Sequence, residues 1–227
     1  MEKVIIIGSS KGIGKATLDS LVTNYEVFGI TRNPSNFSHP NYTEYNLDIL
    51  TDEIPHIENI NHLIYTPGSI NLKPFNRLKE IDFLNDFNIN VLGAVRSIQF
   101  YLPEIKKSNN SSITLFSTVA TKLGMPFHAS IAASKSALEG IVISLAAELA
   151  SSVRVNAIAP TITDTPLASG LLRNDEAIER MKQRHPTKEI INPSEIANII
   201  NMLISPLSKN ITGQILKIDA GITTLKL

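Results

Sequence analysis

Near the start of the chain, Gly8-Ser9-Ser10-Lys11-Gly12-Ile13-Gly14 groups three glycines around one lysine. The first glycine permits a tight turn, and the later two let backbone approach an anionic group and a following helix pack on its strand. The opening N–H groups of such a helix favour phosphate. The motif follows an apolar run at residues 4–7 and opens a helical pattern, the context in which a glycine turn reads as a dinucleotide site. Gly8, Ser10, Lys11, Gly12, Ile13 and Gly14 are therefore candidate cofactor contacts. A second strand-like run ends at Ile30-Thr31-Arg32, where an NAD site would place an acidic residue on the adenosine ribose. No carboxylate stands there to repel a 2′-phosphate. Thr31 and Arg32 lie at that end; Arg32 offers a forked partner for the phosphate and Lys11 a point charge. The expected cofactor is NADP(H).

A second group of residues could move protons. His128, Ile131 and Lys135 stand at i, i+3 and i+7 of a predicted helix and so share one face. Lys135 interrupts an Ala/Ser-rich stretch at 129–137, which suits a cofactor-facing role. His128, with an ordinary pKa of about 6.5, can donate a proton near neutral pH, although a neighbouring lysine cation weakens that role. The alternative is that His128 is only a polar residue at a helix start.

The elements that must position these groups alternate. Strand patterns at 4–7, 25–30, 63–65, 112–116, 154–158 and 215–218 are separated by helical patterns at 15–23, 83–101 and 128–150. Such alternation predicts an α/β fold of Rossmann type, a doubly wound parallel sheet in three layers. The whole chain, 1–227, reads as one domain. Residues 48–61 leave no room for a full helix, so that crossover is expected to be short or irregular. Residues 160–193 are the least regular, with a charged helix-like piece at 174–184; a loop of this length in a compact domain is usually functional, and residues 166–192 are expected to form a substrate lid.

Lys plus Arg and Asp plus Glu both total 21, so no basic field exists to hold nucleic acid or a membrane surface. With no cysteine, disulfides and thiolate metal sites are excluded. No apolar run approaches the roughly 20 residues of a membrane span, and the expected location is the cytoplasm. The expected partner is a small-molecule substrate.

In the order and spacing of its motifs the chain resembles the short-chain dehydrogenase/reductase family. Gly8 to Gly14 is similar to the family's TGxxxGIG turn, with Ile7 in place of threonine. Leu47-Asp48-Ile49 resembles the adenine-contacting stretch, and Tyr65-Thr66-Pro67-Gly68 occupies the place of NNAG. The resemblance implies cofactor contacts at Asp48, Ile49, Thr66 and Gly68, and at Pro160, Thr163 and Thr165 in and after the Val155 to Thr161 segment. That segment is similar to VNxxxPG, with Thr161 for the glycine. Residues 212–221 resemble the TGQxxxVDGG ending, with Ala220 for one glycine. It also implies a homodimer or homotetramer formed through the helices around Asn90 and Lys135.

The same resemblance assigns catalytic places to Asn90, Thr118 and Lys135, the last also binding the nicotinamide ribose. It departs at one residue: Ile131 stands where the family carries tyrosine. In the family that tyrosine gives a proton to the substrate oxygen, and a lost general acid typically costs about 10²–10⁴-fold. Two expectations follow. The chain is an NADP(H)-dependent reductase of a carbonyl or activated alkene, with His128 or a water chain as the proton donor. Or it is a catalytically silent NADP(H)-binding protein that regulates or scaffolds a partner.

Overall fold

The computed structural model describes residues 1–226. Seven parallel strands form one sheet in the order β3-β2-β1-β4-β5-β6-β7: β1 (Lys3–Ile7), β2 (Glu26–Thr31), β3 (Tyr42–Asn46), β4 (His62–Tyr65), β5 (Ser111–Phe116), β6 (Val153–Pro160) and β7 (Ile215–Ile218). The central strands are apolar on both sides because helices cover both faces. Within β1, Val4 and Ile6 enter one core cluster with Leu18 and Leu21 of α1 (Gly12–Leu21) and Ile196 and Ile200 of α6 (Pro193–Ile204). Ile5 and Ile7 point the other way, to Ile98 of α3 (Gly93–Ile105) and Leu138 and Val142 of α4 (Ala129–Leu149). The result is the expected three-layer α/β sandwich. The crossover at 48–61 holds no helix.

Three elements depart from the expectation. β3 is a seventh strand, half exposed at the sheet edge, where its residues YTEYN carry no continuous apolar run. α6 follows directly on the irregular stretch and is closed by a capping box, Asn192 with Glu195, and a proline at its first turn. The helix expected at 83–101 is instead α2 (Glu80–Phe87), a π-helical turn (Asn88–Leu92) and α3. The break has a cause: the Asn90 side-chain amide donates to the Asp86 carbonyl at 2.7 Å, the acceptor that a regular helix would give to the Asn90 backbone N–H. Tyr65 hydroxyl donates to the neighbouring Ile89 carbonyl at 2.6 Å and holds the widened turn against β4. The charged piece in the irregular stretch is α5 (Asp175–Gln183).

Strand order reverses between β1 and β4, since β2 and β3 lie on one side and β5 to β7 on the other. In open parallel sheets the crevice at the carboxyl end of such a switch point is where ligands bind.

Candidate functional site

The crevice at the switch point is one elongated cleft with two arms. The first is built on the turn after β1. Gly8 adopts φ +86° and its N–H donates to the Ile30 carbonyl at 2.7 Å. A Cβ on Gly14 would run into the Gly8 carbonyl oxygen, so this glycine is what lets α1 start hard against the turn. The walls of this arm include Gly8, Ser10, Lys11, Gly12, Ile13, Gly14, Thr31, Arg32, Asp48, Ile49, Thr66 and Gly68. All twelve positions marked as cofactor contacts in this half of the sequence thus meet in space. Thr31 hydroxyl donates to Ser10 Oγ at 2.7 Å, tying the end of β2 to the turn. Lys11 and Arg32 are exposed at the mouth, and neither forms an ion pair among the described residues. Two unneutralised cations beside a turn that leaves no room for side chains suit a phosphorylated dinucleotide.

The second arm opens past Thr66, Gly68 and Thr165, which border both, and is lined by Thr118, His128, Ile131, Lys135, Pro160 and Thr163. Lys135, on α4, is 7% exposed and donates to the Phe116 carbonyl at the end of β5 at 2.7 Å. Burial pushes its ammonium down to about 7, against the opposing pull of the Asp86 carboxylate. Thr118 follows β5, its Oγ accepting from the Ala120 N–H at 3.3 Å. Ile131 lies one turn before Lys135 and presents only hydrocarbon to the cleft. His128 is not inside the helix but caps it, with φ −100° and ψ 11°. Its Nδ1 lies 2.7 Å from the Pro126 carbonyl. A carbonyl only accepts, so Nδ1 carries hydrogen and Nε2 is left for the cleft.

Asn90 is the one expected catalytic residue that does not reach the wall. It is fully buried in the π-turn, donating also to Ser69 Oγ at 2.9 Å, while its Oδ1 has no hydrogen-bond partner among the described residues. A Cβ on Gly68 would stand 3.4 Å from that oxygen and 3.8 Å from Lys135 Nζ, so both groups converge behind the glycine.

The motif departure at Thr161 and the predicted lid at 166–192 meet here in a contact that no motif gave. Thr161 Oγ lies 2.8 Å from Nε2 of His185, whose Nδ1 lies 2.9 Å from the Met181 carbonyl. The carbonyl takes the Nδ1 hydrogen, so Nε2 accepts from the threonine. Burial holds this imidazole below its ordinary value, in its neutral form. Threonine in the place of a glycine therefore fastens the segment carrying α5 to the end of β6. Leu167, Ala168, Leu171, Met181 and Arg184 of the 166–192 stretch complete the wall. Ser69, Asp86 and Ser130 form a further buried cluster, taken up below.

A family model described as enoyl-(acyl carrier protein) reductase matches residues 48–223. The chain belongs to the short-chain dehydrogenase/reductase family. It is similar to the 3-oxoacyl-(acyl-carrier-protein) reductase of Thermotoga maritima, 35% identical over 147 residues, which cover 64% of this chain and 59% of the relative. That match spans less than two thirds of the relative's length. Among solved structures it shares its fold with the ligand-free aldohexose dehydrogenase of Thermoplasma acidophilum, with a TM-score of 0.90, 22% identity and coverage of 99% of this chain and 95% of that one. It is also similar to ElxO with NADP bound, with a TM-score of 0.85, 24% identity and 99% of both chains covered.

Proposed function

We propose that this family member is an NADP(H)-dependent oxidoreductase that reduces a carbonyl or an activated alkene. The observation that carries the reading is the continuity of the cleft, from the unpaired Lys11 and Arg32 at one end to Lys135 and Thr118 at the other. The names of its relatives support both substrate types, a 3-oxoacyl and an enoyl group, and ElxO holds NADP on a similar fold. The glycine turn would take the pyrophosphate, Lys11 and Arg32 the 2′-phosphate, and Lys135 the nicotinamide ribose. The bound cofactor would supply hydride. Thr118 hydroxyl would donate to the substrate oxygen as charge builds on it. Ile131 and Leu171 would present an apolar wall to that point, and segment 166–192 would close over the substrate as its lid.

The proton would come from His128. Because Nδ1–H is already given to the Pro126 carbonyl, Nε2 is the nitrogen left to face the substrate. The test is NADPH oxidation across a broad panel of ketones, aldehydes and enones, with calorimetry of NADPH and NADH beside it. The expected result is tighter binding of NADPH and turnover that falls about 10²–10⁴-fold in His128→Ala but survives in Ile131→Ala. No oxidation with any substrate would overturn the reductase reading.

One observation favours a second reading. The residue facing the substrate position is an isoleucine, which can neither give nor take a proton. A silent NADP(H)-binding protein would bind NADPH tightly without turnover, and Ile131→Tyr would create an activity absent from the wild type.

A further inference from the structure

Asp86 is a buried carboxylate that the proposed chemistry does not use. It lies on α2, 2% exposed, with Ser69 hydroxyl donating to Oδ1 and Ser130 hydroxyl to Oδ2, each at 2.5 Å. One short hydroxyl bond to each oxygen is the pattern of an ionised acid. An ionised group so placed is costly unless an opposite charge answers it. Among the described residues Asp86 has no ion-pair partner in contact. The cation that feels its field is Lys135, which itself has a single hydrogen-bond acceptor, the Phe116 carbonyl.

The two charges flank one polar knot. Asn90 Nδ2 donates to Ser69, and Ser69 donates to Asp86. Asn90 Oδ1 and Lys135 Nζ both face the back of Gly68, while Ser130 comes from the same helix as Lys135. Every other charged group near the lysine is engaged or distant. Asp82 on α2 pairs with Lys73. Glu139, one turn along α4, is held by Ser117, Thr121 and Lys122. His128 turns toward Pro126 at the helix start, and Arg184 with the neutral His185 lies on the wall formed by 166–192.

We propose that Asp86 is a positioning residue that keeps Lys135 charged in a site that has no tyrosine hydroxyl beside the lysine. The assignment rests on the reading that Lys135 faces the cofactor, because only then does its charge govern binding. With Asp86 replaced, burial acts on the ammonium unopposed, and the lysine loses its proton at lower pH.

The experiment follows the Lys135 titration by NMR in protein carrying ¹³Cε-lysine, in wild type and in Asp86→Asn, with NADPH affinity measured over the same pH range. In Asp86→Asn the lysine midpoint is expected to fall by one pH unit or more, which is about tenfold in its proton affinity. NADPH binding is expected to weaken about tenfold at pH 8 and to be nearly unchanged at pH 5.5, where both lysines are charged. A purely structural role for Asp86 would weaken binding equally at both pH values, and that result, or an unmoved lysine midpoint, overturns the proposal. If neither protein binds NADPH, the cofactor reading fails alone and the lysine midpoint still decides the role of Asp86. Should Asp86→Asn not fold, the unaltered protein serves. Its Asp86 ¹³Cγ resonance must register the Lys135 titration, and silence there overturns the proposal equally.

Discussion

Lys135 is a charge held almost out of solvent, and its cost is visible in the pH dependence of stability. In the unfolded chain the lysine releases its proton near about 10.4, whereas burial brings it to about 7 in the folded protein. Between these values the unfolded state binds more protons than the native state, so stability rises with pH, by at most about 1.4 kcal/mol per pH unit for this one group. Below about pH 7 both states are protonated and the penalty is complete. Lys135→Met removes the titration and keeps the hydrocarbon stem. Its melting temperature is expected to exceed that of the wild type at pH 6, with the difference shrinking steadily toward pH 10. Thermal denaturation at a series of pH values checks this, and a constant difference would contradict it. A group that opposes folding in this way is retained for its site.

The segment carrying α5 is tied to the end of the sheet by backbone bonds through Thr187 and Ile191 and by the side-chain bond from Thr161 to His185. In Thr161→Val that bond is lost while the shape is kept, leaving the His185 Nε2 acceptor buried without a partner. The cost is about 1–3 kcal/mol, enough to raise the open population of the segment about 5–150-fold. Hydrogen exchange of residues 175–183 is expected to accelerate by that factor while β1 and α1 stay unchanged; uniform acceleration would show global destabilisation instead. Elements of this kind were the least legible in the sequence. β1 is legible as a continuous β-branched run, the other central strands as short apolar runs between helical patterns, and the glycine turn by its place between strand and helix. β3 is not, because an edge strand needs no apolar run. α6 did carry a signal in Asn192-Pro193-Ser194-Glu195, a cap, a proline and a capping-box glutamate, though it follows straight on the irregular stretch. The π-turn at Asn90 was illegible because a tertiary bond from Tyr65 and a side-chain bond to the Asp86 carbonyl decide it, and neither shows in periodicity. The site divides the same way. Residues picked out by turn chemistry or by motif order line the cleft, apart from Asn90, whereas Asp86, Ser69 and Ser130 converge from three separate segments.

At the scale of the molecule, α4 is the element whose surface does not match its surroundings. The sequence shows no uninterrupted apolar run of span length, but α4, which carries Lys135, Glu139 and Glu148 among its 21 residues, is apolar enough on average to pass for a membrane span, and only 44% of that stretch is buried. The helices adjoining it add to the mismatch: Leu84 on α2 is 56% exposed, Leu92 in the π-turn 46%, Phe100 on α3 41% and Ile143 on α4 itself 57%. Large apolar side chains left exposed on adjoining helices point to an interface. A second copy of the chain is the partner that family resemblance implies, and a two-fold axis would set the same apolar helices against themselves. Glutamate at both Leu84 and Ile143 would then place like charges face to face in a desolvated patch. The expected outcome is that wild type sediments as a dimer or tetramer and Leu84→Glu/Ile143→Glu as a monomer, measured by analytical ultracentrifugation at matched concentrations. Both side chains are exposed in the single chain, so the monomer should keep its circular dichroism spectrum. A wild-type protein that sediments as a monomer would mean that something other than a second copy covers this face.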